Sequence, residues 1–336
     1  MAKRKLSNRQ KTRIDERQQQ HVERLEPEAA RDATKNLGPR SSGLVTCNFG
    51  QQLEVEAIGG TLQGKIFRCF QRSNLPAMVS GDRIIFQSDG ESSGVIVALD
   101  DRRNVFSRPA SSGELRPVAS NIDLVLIVIA PIPQPFMNLV DRYLVAVESL
   151  QLTPLLIINK ADLMASSRTP ELDAMGVLYA GLGYKVIEVS ATTGAGITDL
   201  KKALNNKTAV IVGQSGVGKS SLINALSPQI DAPVGALSRG SAKGTHTTTS
   251  ARLFHLDGCD LIDSPGIREF GLWHISPHQL LEGFTEFRPF VGQCKFRDCS
   301  HRNEPQCALR SAVESGAISS VRLESYFHIL ESLANL

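Results

Sequence analysis

The sequence predicts a multidomain protein: a small N-terminal β-barrel, a central doubly wound α/β domain and a C-terminal helical module built on a metal site. Three observations carry this expectation. Short apolar segments with turn punctuation fill residues 42–108. Continuous apolar runs then alternate with amphipathic stretches from 123 to 226, and three cysteines and a histidine crowd into residues 294–307. A chain of 336 residues can bury cores for two or three domains. No apolar run is long enough to cross a bilayer, and the basic N-terminus lacks the apolar segment of a secretory signal. A cytoplasmic protein with no membrane partner is therefore expected, with its six cysteines reduced or metal-bound.

Residues 1–40 are polar, rich in Gln and Arg and poor in aromatics, which reads as a largely disordered tail. Propensity allows a helix across 15–26, but little apolar surface exists to dock it. The net formal charge of the chain is only +3, yet eight basic residues face three acidic ones between Met1 and Arg24. A basic tail ahead of a near-neutral body suits an anionic partner such as nucleic acid; a merely solvated tail accounts for the charge equally well.

From 41 to 108 the pattern is of strands, at 43–49, 53–58, 65–70, 82–87 and 94–99, with turns at Gly59-Gly60, Ser80-Gly81 and Asp89-Gly90. Five strands in so short a span fit a closed barrel of the oligonucleotide-binding (OB-fold) type, with an SH3-like barrel as competitor. Lys65, Arg68, Phe70 and Arg72 could meet nucleic acid by charge and stacking. Phe70 fits the barrel core equally well, with the charges a solvated face.

After a Ser/Gly linker at 110–113 the α/β domain, 114–275, begins. The run 123–130 is apolar throughout, the mark of a strand covered on both faces. Helix at 136–150, strand at 155–159, helix at 171–182, strand at 185–189 and helix at 197–205 follow, and then a strand at 208–212. That last strand leads into Gly213-Gln-Ser-Gly-Val-Gly-Lys-Ser-Ser221, where Gly213, Gly218, Lys219 and Ser220 match the phosphate-loop spacing. The glycines let backbone N–H groups turn onto a polyphosphate, and the following helix adds its positive end. Gln214, Ser215, Gly216, Val217 and Ser221 complete the cradle. Lys219 would reach the outer phosphates and Ser220 would ligate Mg²⁺.

Asn159-Lys160-Ala161-Asp162 closes a strand. A carboxylate at 162 can accept from the two adjacent N–H donors of guanine, which adenine lacks, so this site would choose GTP over ATP and disfavours a phosphate-loop ATPase or kinase. Ser190-Ala191, at another strand end, offers donors to the guanine carbonyl. Asp263-Ser-Pro-Gly266 follows the run 259–262. Asp263 would hold Mg²⁺ through water, and the Gly266 N–H would sense the γ-phosphate. Between these lies the polar stretch 238–249. In it Thr248, with Thr247 close behind, is the candidate Mg²⁺-sensing hydroxyl, and His246 could position the attacking water. The base-reading motif precedes the phosphate loop here, whereas ordinary GTPases place it after both switches. The motif order is circularly permuted, a change that neighbouring surface termini permit.

The C-terminal part, 276–336, carries Cys294-x₄-Cys299-x-His301-x₅-Cys307. Three thiolates and one imidazole form a closed set for one structural Zn²⁺. Lys295, Arg297, Asp298 and Arg302 around them argue against an apolar core. Cys47, Cys69 and Cys259 lie on expected strands and read as buried apolar residues. Helices are expected at 308–316 and 319–336.

Taken together, these residues and their order resemble the RsgA (YjeQ) family, circularly permuted GTPases dependent on the bacterial small ribosomal subunit. The resemblance spans nearly the whole chain. It implies an OB-fold, a P-loop GTPase domain and a helical zinc-binding domain in a protein that hydrolyses GTP to GDP. It further implies action in late maturation of the 30S subunit, with that subunit and its 16S rRNA as partner and activator, weak activity alone, and binding of (p)ppGpp in place of GTP. The expected oligomeric state is a monomer. Ile267 stands where many GTPases carry a water-positioning Gln, so intrinsic hydrolysis should be slow; the resemblance makes His246 the substitute. Gly216 replaces the Asn of potassium-activated relatives. The other reading is a guanine-nucleotide-gated RNA-binding module in which turnover is not required.

Overall fold

The computed structural model describes residues 37–109, 114–163, 169–228, 251–263 and 275–334. The tail with its helix at 15–26, the stretch 238–249 with His246, Thr247 and Thr248, and Gly266 with Ile267 lie outside the described residues.

Strands β1 (Arg40–Asn48), β2 (Gln52–Ala57), β3 (Ile66–Gln71), β4 (Arg83–Ser88) and β5 (Ser93–Leu99) make the first unit. β1, β2 and β3 pair antiparallel, β3 runs parallel to β5, and β4 closes the sheet onto β1. This is a closed five-stranded barrel of the expected type. Its inside is filled by Val45, Leu53, Val55, Phe67, Ile84, Phe86 and Ile96. Strand periodicity decides the open question at Phe70. Phe67 and Cys69 point inward, so Arg68 and Phe70 face out, and Phe70 is 44% exposed. Cys47 and Cys69 are buried as expected, whereas Cys259 is only half-buried.

A hairpin of β6 (Val105–Pro109) and β7 (Leu115–Ser120) spans the stretch read from sequence as linker. Among its described side chains only Phe106 and Ala119 are buried in the core, with Val118 packed against it, too few apolar positions to show a strand pattern.

The central sheet runs β10 (Lys185–Glu188), β9 (Thr153–Ile158), β8 (Leu124–Ile129), β11 (Thr208–Val212), β13 (Cys259–Asp263), β12 (Arg252–Leu256). All but β12 are parallel. Helices α1 (Met137–Ser149) and α2 (Pro170–Gly181) cover one face, and α3 (Ile197–Leu204) and α4 (Lys219–Leu226) the other. In α1, Val140, Tyr143, Leu144 and Val147 fall at helical spacing on the buried side. α2 starts where Thr169 accepts from the Leu172 N–H, with Pro170 in the first turn.

Antiparallel β12 had no place in the sequence reading, and it joins the two units. Cys47 of β1 pairs with Arg252, making one eleven-stranded sheet. Ser80 Oγ donates to the carbonyls of Thr46 (3.1 Å) and Ala251 (2.8 Å) across the same seam. His255 of β12 lies between Asp260 Oδ1 at 2.7 Å and Glu56 Oε2 of the barrel at 2.6 Å. The Asp260 hydrogen bond and both carboxylate charges push its pKa up to about 9, against some loss from burial. A pKa raised in the folded state stabilises below the unfolded value near 6.5, and that contribution fades as pH climbs toward 9. Thermal unfolding from pH 6 to pH 10 should therefore show a decline across this window. In His255→Gln the decline should be shallower; equal slopes would mean the histidine is not coupled to folding.

The C-terminal part packs on α1 through α5 (Pro277–Gly283), a 3₁₀ turn (Thr285–Phe290), α6 (Ala308–Glu314) and α7 (Ser320–Ala334). α5 begins with a full capping box, Ser276 and Gln279 bonding reciprocally, a signature legible in the sequence but not read there. At Gly283 a Cβ would stand 2.7 Å from Val145 Cγ1, so only glycine lets α5 pass α1 this closely. Phe284, Phe287 and Tyr326 stack into the core shared with α1 and α2.

Candidate nucleotide and metal sites

Parallel strands deliver their C-terminal ends to one edge of the sheet, where ligands of such folds bind. β9 ends into Asn159–Asp162, β10 into Ser190-Ala191, β11 into the loop 213–218, and β13 on Asp263. Ile211 and Asp263 are parallel register partners, which sets the carboxylate beside the loop.

The loop is held from several sides. Gly213 has φ 142°, and a Cβ there would meet the Val128 carbonyl at 2.3 Å, so the turn needs glycine. Val217 is buried and anchors the loop in the core beneath α4, while Ser215 and Gly216 stay exposed at its tip. Lys219 opens α4 and its Nζ donates to the carbonyls of Gly213 (2.8 Å) and Gln214 (2.7 Å). The ammonium thus lies across the mouth of the loop, on neutral acceptors that anionic phosphate oxygens would outcompete. Ser220 and Ser221 follow in the first turn, half-buried.

The candidate base-reading motif is wired to this loop. Asn159, buried, donates through Nδ2 to the Val217 carbonyl at 2.8 Å, and its Oδ1 accepts from the Ala191 N–H at 3.4 Å. Lys160, with a left-handed backbone (φ 61°), donates from Nζ to the carbonyls of Gly216 (2.7 Å) and Ile132 (2.8 Å). Asn159 and Lys160 are therefore struts between three loops, a role their spacing did not disclose. Asp162 is exposed, and its carboxylate accepts from the buried Ser190 hydroxyl, which itself accepts from the Thr193 N–H. This leaves the other carboxylate oxygen free of that bond and orients the group. Ile132, which braces Lys160, was missed; a backbone carbonyl carries no residue signature.

Ser220 and Asp263 are hard oxygen donors at the loop, a set that suits Mg²⁺. The other expected Mg²⁺ contact, Thr248, and the expected γ-phosphate contacts, His246 and Gly266, lie outside the described residues.

At the far end of the chain, ligand atoms of Cys294, Cys299, His301 and Cys307 all lie within 4.8 Å of one another. Zn–S near 2.3 Å and Zn–N near 2.0 Å in a tetrahedron require S···S of about 3.8 Å and S···N of about 3.5 Å. Cys294 Sγ and Cys307 Sγ stand 3.9 Å apart, and each is 3.5 Å from His301 Nδ1. The set fits Zn²⁺, with Nδ1 as the histidine donor. Burial lowers the His301 pKa and so favours the neutral ligating form. Glu304, unnoticed in the sequence, organises the loop. It accepts from the N–H groups of Ser300, Arg302 and Asn303 and from the Ser300 hydroxyl, which fixes His301 (φ 63°) toward the thiols. These bonds hold its carboxyl down to about 2.

Comparison with known proteins agrees with the geometry. The profile of the RsgA GTPase family matches residues 99–273. The chain is 50% identical to a protein of Azotobacter vinelandii named small ribosomal subunit biogenesis GTPase RsgA, over 99% of this chain and 98% of that one. A protein of Hahella chejuensis with the same name is 50% identical over 99% of this chain and 97% of its own. Among solved structures, YjeQ from Thermotoga maritima is similar with TM-score 0.71 and 31% identity, covering 89% of this chain and all of that one. YloQ, described as a circularly permuted GTPase, is similar with TM-score 0.67 and 27% identity, over 90% and 96% of the two chains.

Proposed function

The chain belongs to the RsgA GTPase family, and from that premise we propose that it hydrolyses GTP in biogenesis of the small ribosomal subunit. The observation that carries the enzyme reading is the wiring of Asn159 and Lys160 onto Val217 and Gly216, which holds base reader and phosphate cradle in one frame. Asp162 reads the guanine edge, with Ser190 and Ala191 beside it. Lys219 leaves the loop carbonyls for the β- and γ-phosphates, and the backbone of 213–218 donates to them. Ser220, Asp263 and Thr248 would hold Mg²⁺, which when bound would neutralise charge on the phosphates. His246 orients water for in-line attack, with Gly266 contacting the γ-phosphate. With Ile267 in place of Gln, turnover by the isolated protein is slow.

The partner is the 30S subunit and its 16S rRNA, engaged late in maturation, with hydrolysis coupled to release. The barrel supports this. Phe49 is 38% exposed with the Arg68 guanidinium 4.2 Å from its ring, and Lys65, Phe70 and Arg72, on or beside β3, are exposed as well. An exposed aromatic framed by cations is what stacking bases and phosphates require. The proposed domain organisation is a basic tail (1–40), the barrel (41–108), the GTPase domain (114–275) and the zinc domain (276–336). We place the protein in the cytoplasm as a monomer that also accepts GDP and (p)ppGpp. Among the described residues no helix is long and apolar enough to cross a membrane.

The test is GTP turnover with and without purified 30S subunits, with 50S as control. Stimulation by 30S alone is expected, and His246→Ala should cut the stimulated rate by roughly 10²-fold. Full stimulation in that variant removes His246 from the mechanism. Tight GTP-dependent 30S binding without stimulation would replace the enzyme with a nucleotide-gated RNA binder.

A further inference from the structure

The metal cluster sits at the neck of a loop, and the neck is held by more than the metal. Cys294 follows the 3₁₀ turn, and Cys307 is the buried residue that caps α6. Just inside the two cysteines the Lys295 N–H donates to the Gln306 carbonyl at 3.3 Å, which pairs the backbone there. The Ala308 N–H donates to Cys294 Sγ at 3.4 Å, and Cys294 Sγ and Cys307 Sγ stand 3.9 Å apart. Cys299 and His301 lie within the loop, where no residue from 295 to 306 is buried.

The four ligands are therefore of two kinds. Cys294 and Cys307 are neighbours because the fold around them makes them so. Cys299 and His301 are brought in by a loop whose own backbone is tied chiefly through Glu304. Zinc-bound cysteines are thiolates, the nucleophilic form. Exposed Lys295 and Arg297 flank the cluster and raise the local concentration of an anionic reagent. Cys47 and Cys69, by contrast, are buried in the barrel, where burial pushes both thiols up, Cys69 to about 12.

We propose that the cluster is a redox-releasable clasp, in which a two-electron oxidant of the hypohalous acid class joins Cys294 to Cys307 and frees the metal. The inference rests on the zinc reading of the cluster. Cys294, the more accessible of the pair, attacks the chlorine of hypochlorous acid and gives a sulfenyl chloride and hydroxide. The Cys307 thiolate then displaces chloride from that sulfur, and the S–S bond forms. Two electrons pass from the two sulfurs to chlorine, which ends as chloride, and the hydroxide takes a proton from solvent. Only Cys299 and His301 remain as ligands, too few for a closed tetrahedral set, so the site lets Zn²⁺ go.

The oxidised module differs from one merely stripped of zinc. Its neck stays closed and α6 keeps its start, while Lys295, Phe296 and Arg297 lose their fixed place on the surface. The loop surface is thus withdrawn from a partner under oxidant and returned by a dithiol and zinc.

The test is titration of the full-length, zinc-loaded protein with hypochlorous acid, read by a chromogenic zinc chelator and by peptide mapping without reduction. Zinc should appear in step with a Cys294–Cys307 disulfide, and dithiothreitol with added zinc should reverse both. Amide exchange of the oxidised protein should show protection kept over 308–316 and lost over 295–306, whereas chelation of the reduced protein exposes both stretches. Zinc retained against excess oxidant, a disulfide through Cys299, sulfinic and sulfonic acids in place of a disulfide, or protection lost over 308–316 as well overturns the proposal. Protein that carries no zinc at the outset overturns the zinc reading, and the clasp with it.

Discussion

Replacing Asp162 with Asn is expected to weaken GTP binding by roughly 10⁴-fold and to make xanthosine triphosphate the better ligand. In the proposed site the carboxylate would accept from two adjacent guanine N–H groups, and an amide can present only one acceptor and one pair of donors to that edge. Xanthine carries a carbonyl where guanine carries its amino group, so the Asn amide regains two good bonds. Ser190, which donates to Asp162 here, can bond the Asn carbonyl just as well, so the loop should keep its shape. Binding of fluorescent GTP and XTP analogues to both proteins measures the swap. Unchanged preference for GTP in the variant would mean that Asp162 does not read the base, and the enzyme's nucleotide would have to be assigned again.

Removing zinc should unfold the C-terminal module while sparing the nucleotide site. A structural Cys₃His zinc contributes on the order of 10 kcal/mol or more of apparent folding free energy at neutral pH. The loop it holds has little else. Residues 295–306 bury almost no apolar surface, and their backbone is tied chiefly by Glu304, with one bond from the Lys295 N–H to the Gln306 carbonyl and one from Arg310 to the Arg302 carbonyl. Cys307 is the buried residue that caps α6, so losing its ligation frees that helix. Exhaustive chelation, or Cys307→Ser, should therefore release one equivalent of zinc and collapse amide protection over 294–316. Guanine-nucleotide affinity should change little, because Asn159, Lys160 and Lys219 bond the loops around Ile132, Ala191 and 213–217. Protection that survives at zero zinc would show the cluster to be a packed set of thiols.

The parts legible in advance were those whose signal is local. A strand, a glycine turn and Lys-Ser fall within fifteen residues, and the tetrahedral set falls within fourteen, so spacing alone reveals them. The five barrel strands alternate with period two, and β8 is apolar on both faces, so both read directly. The hairpin β6–β7 was invisible because only two of its described side chains are buried in a core. β12 was invisible because its role is to bridge two sheets, and among its five residues it carries Arg252 and His255, which in sequence look like solvated charges. Phe70 could be read as core or surface until the register of β3 against β2 and β5 placed it outside.

The sequence by itself determined the chemistry on offer: a loop with phosphate-cradle spacing, a carboxylate proposed to read guanine, oxygen donors that suit Mg²⁺ and a soft closed set that suits zinc. These depend on residue type at short spacing, where chain geometry leaves few alternatives. The tertiary structure alone decided how those parts are connected. Lys160 bonds a loop carbonyl 56 positions away, and Arg322 meets Asp141 across 181. Pairings at such separations leave no periodic trace, and a buried arginine is written with the same letter as a solvated one. Only the closing of the core around it, which removes water and demands a partner for each charge, turns that letter into a contact between domains.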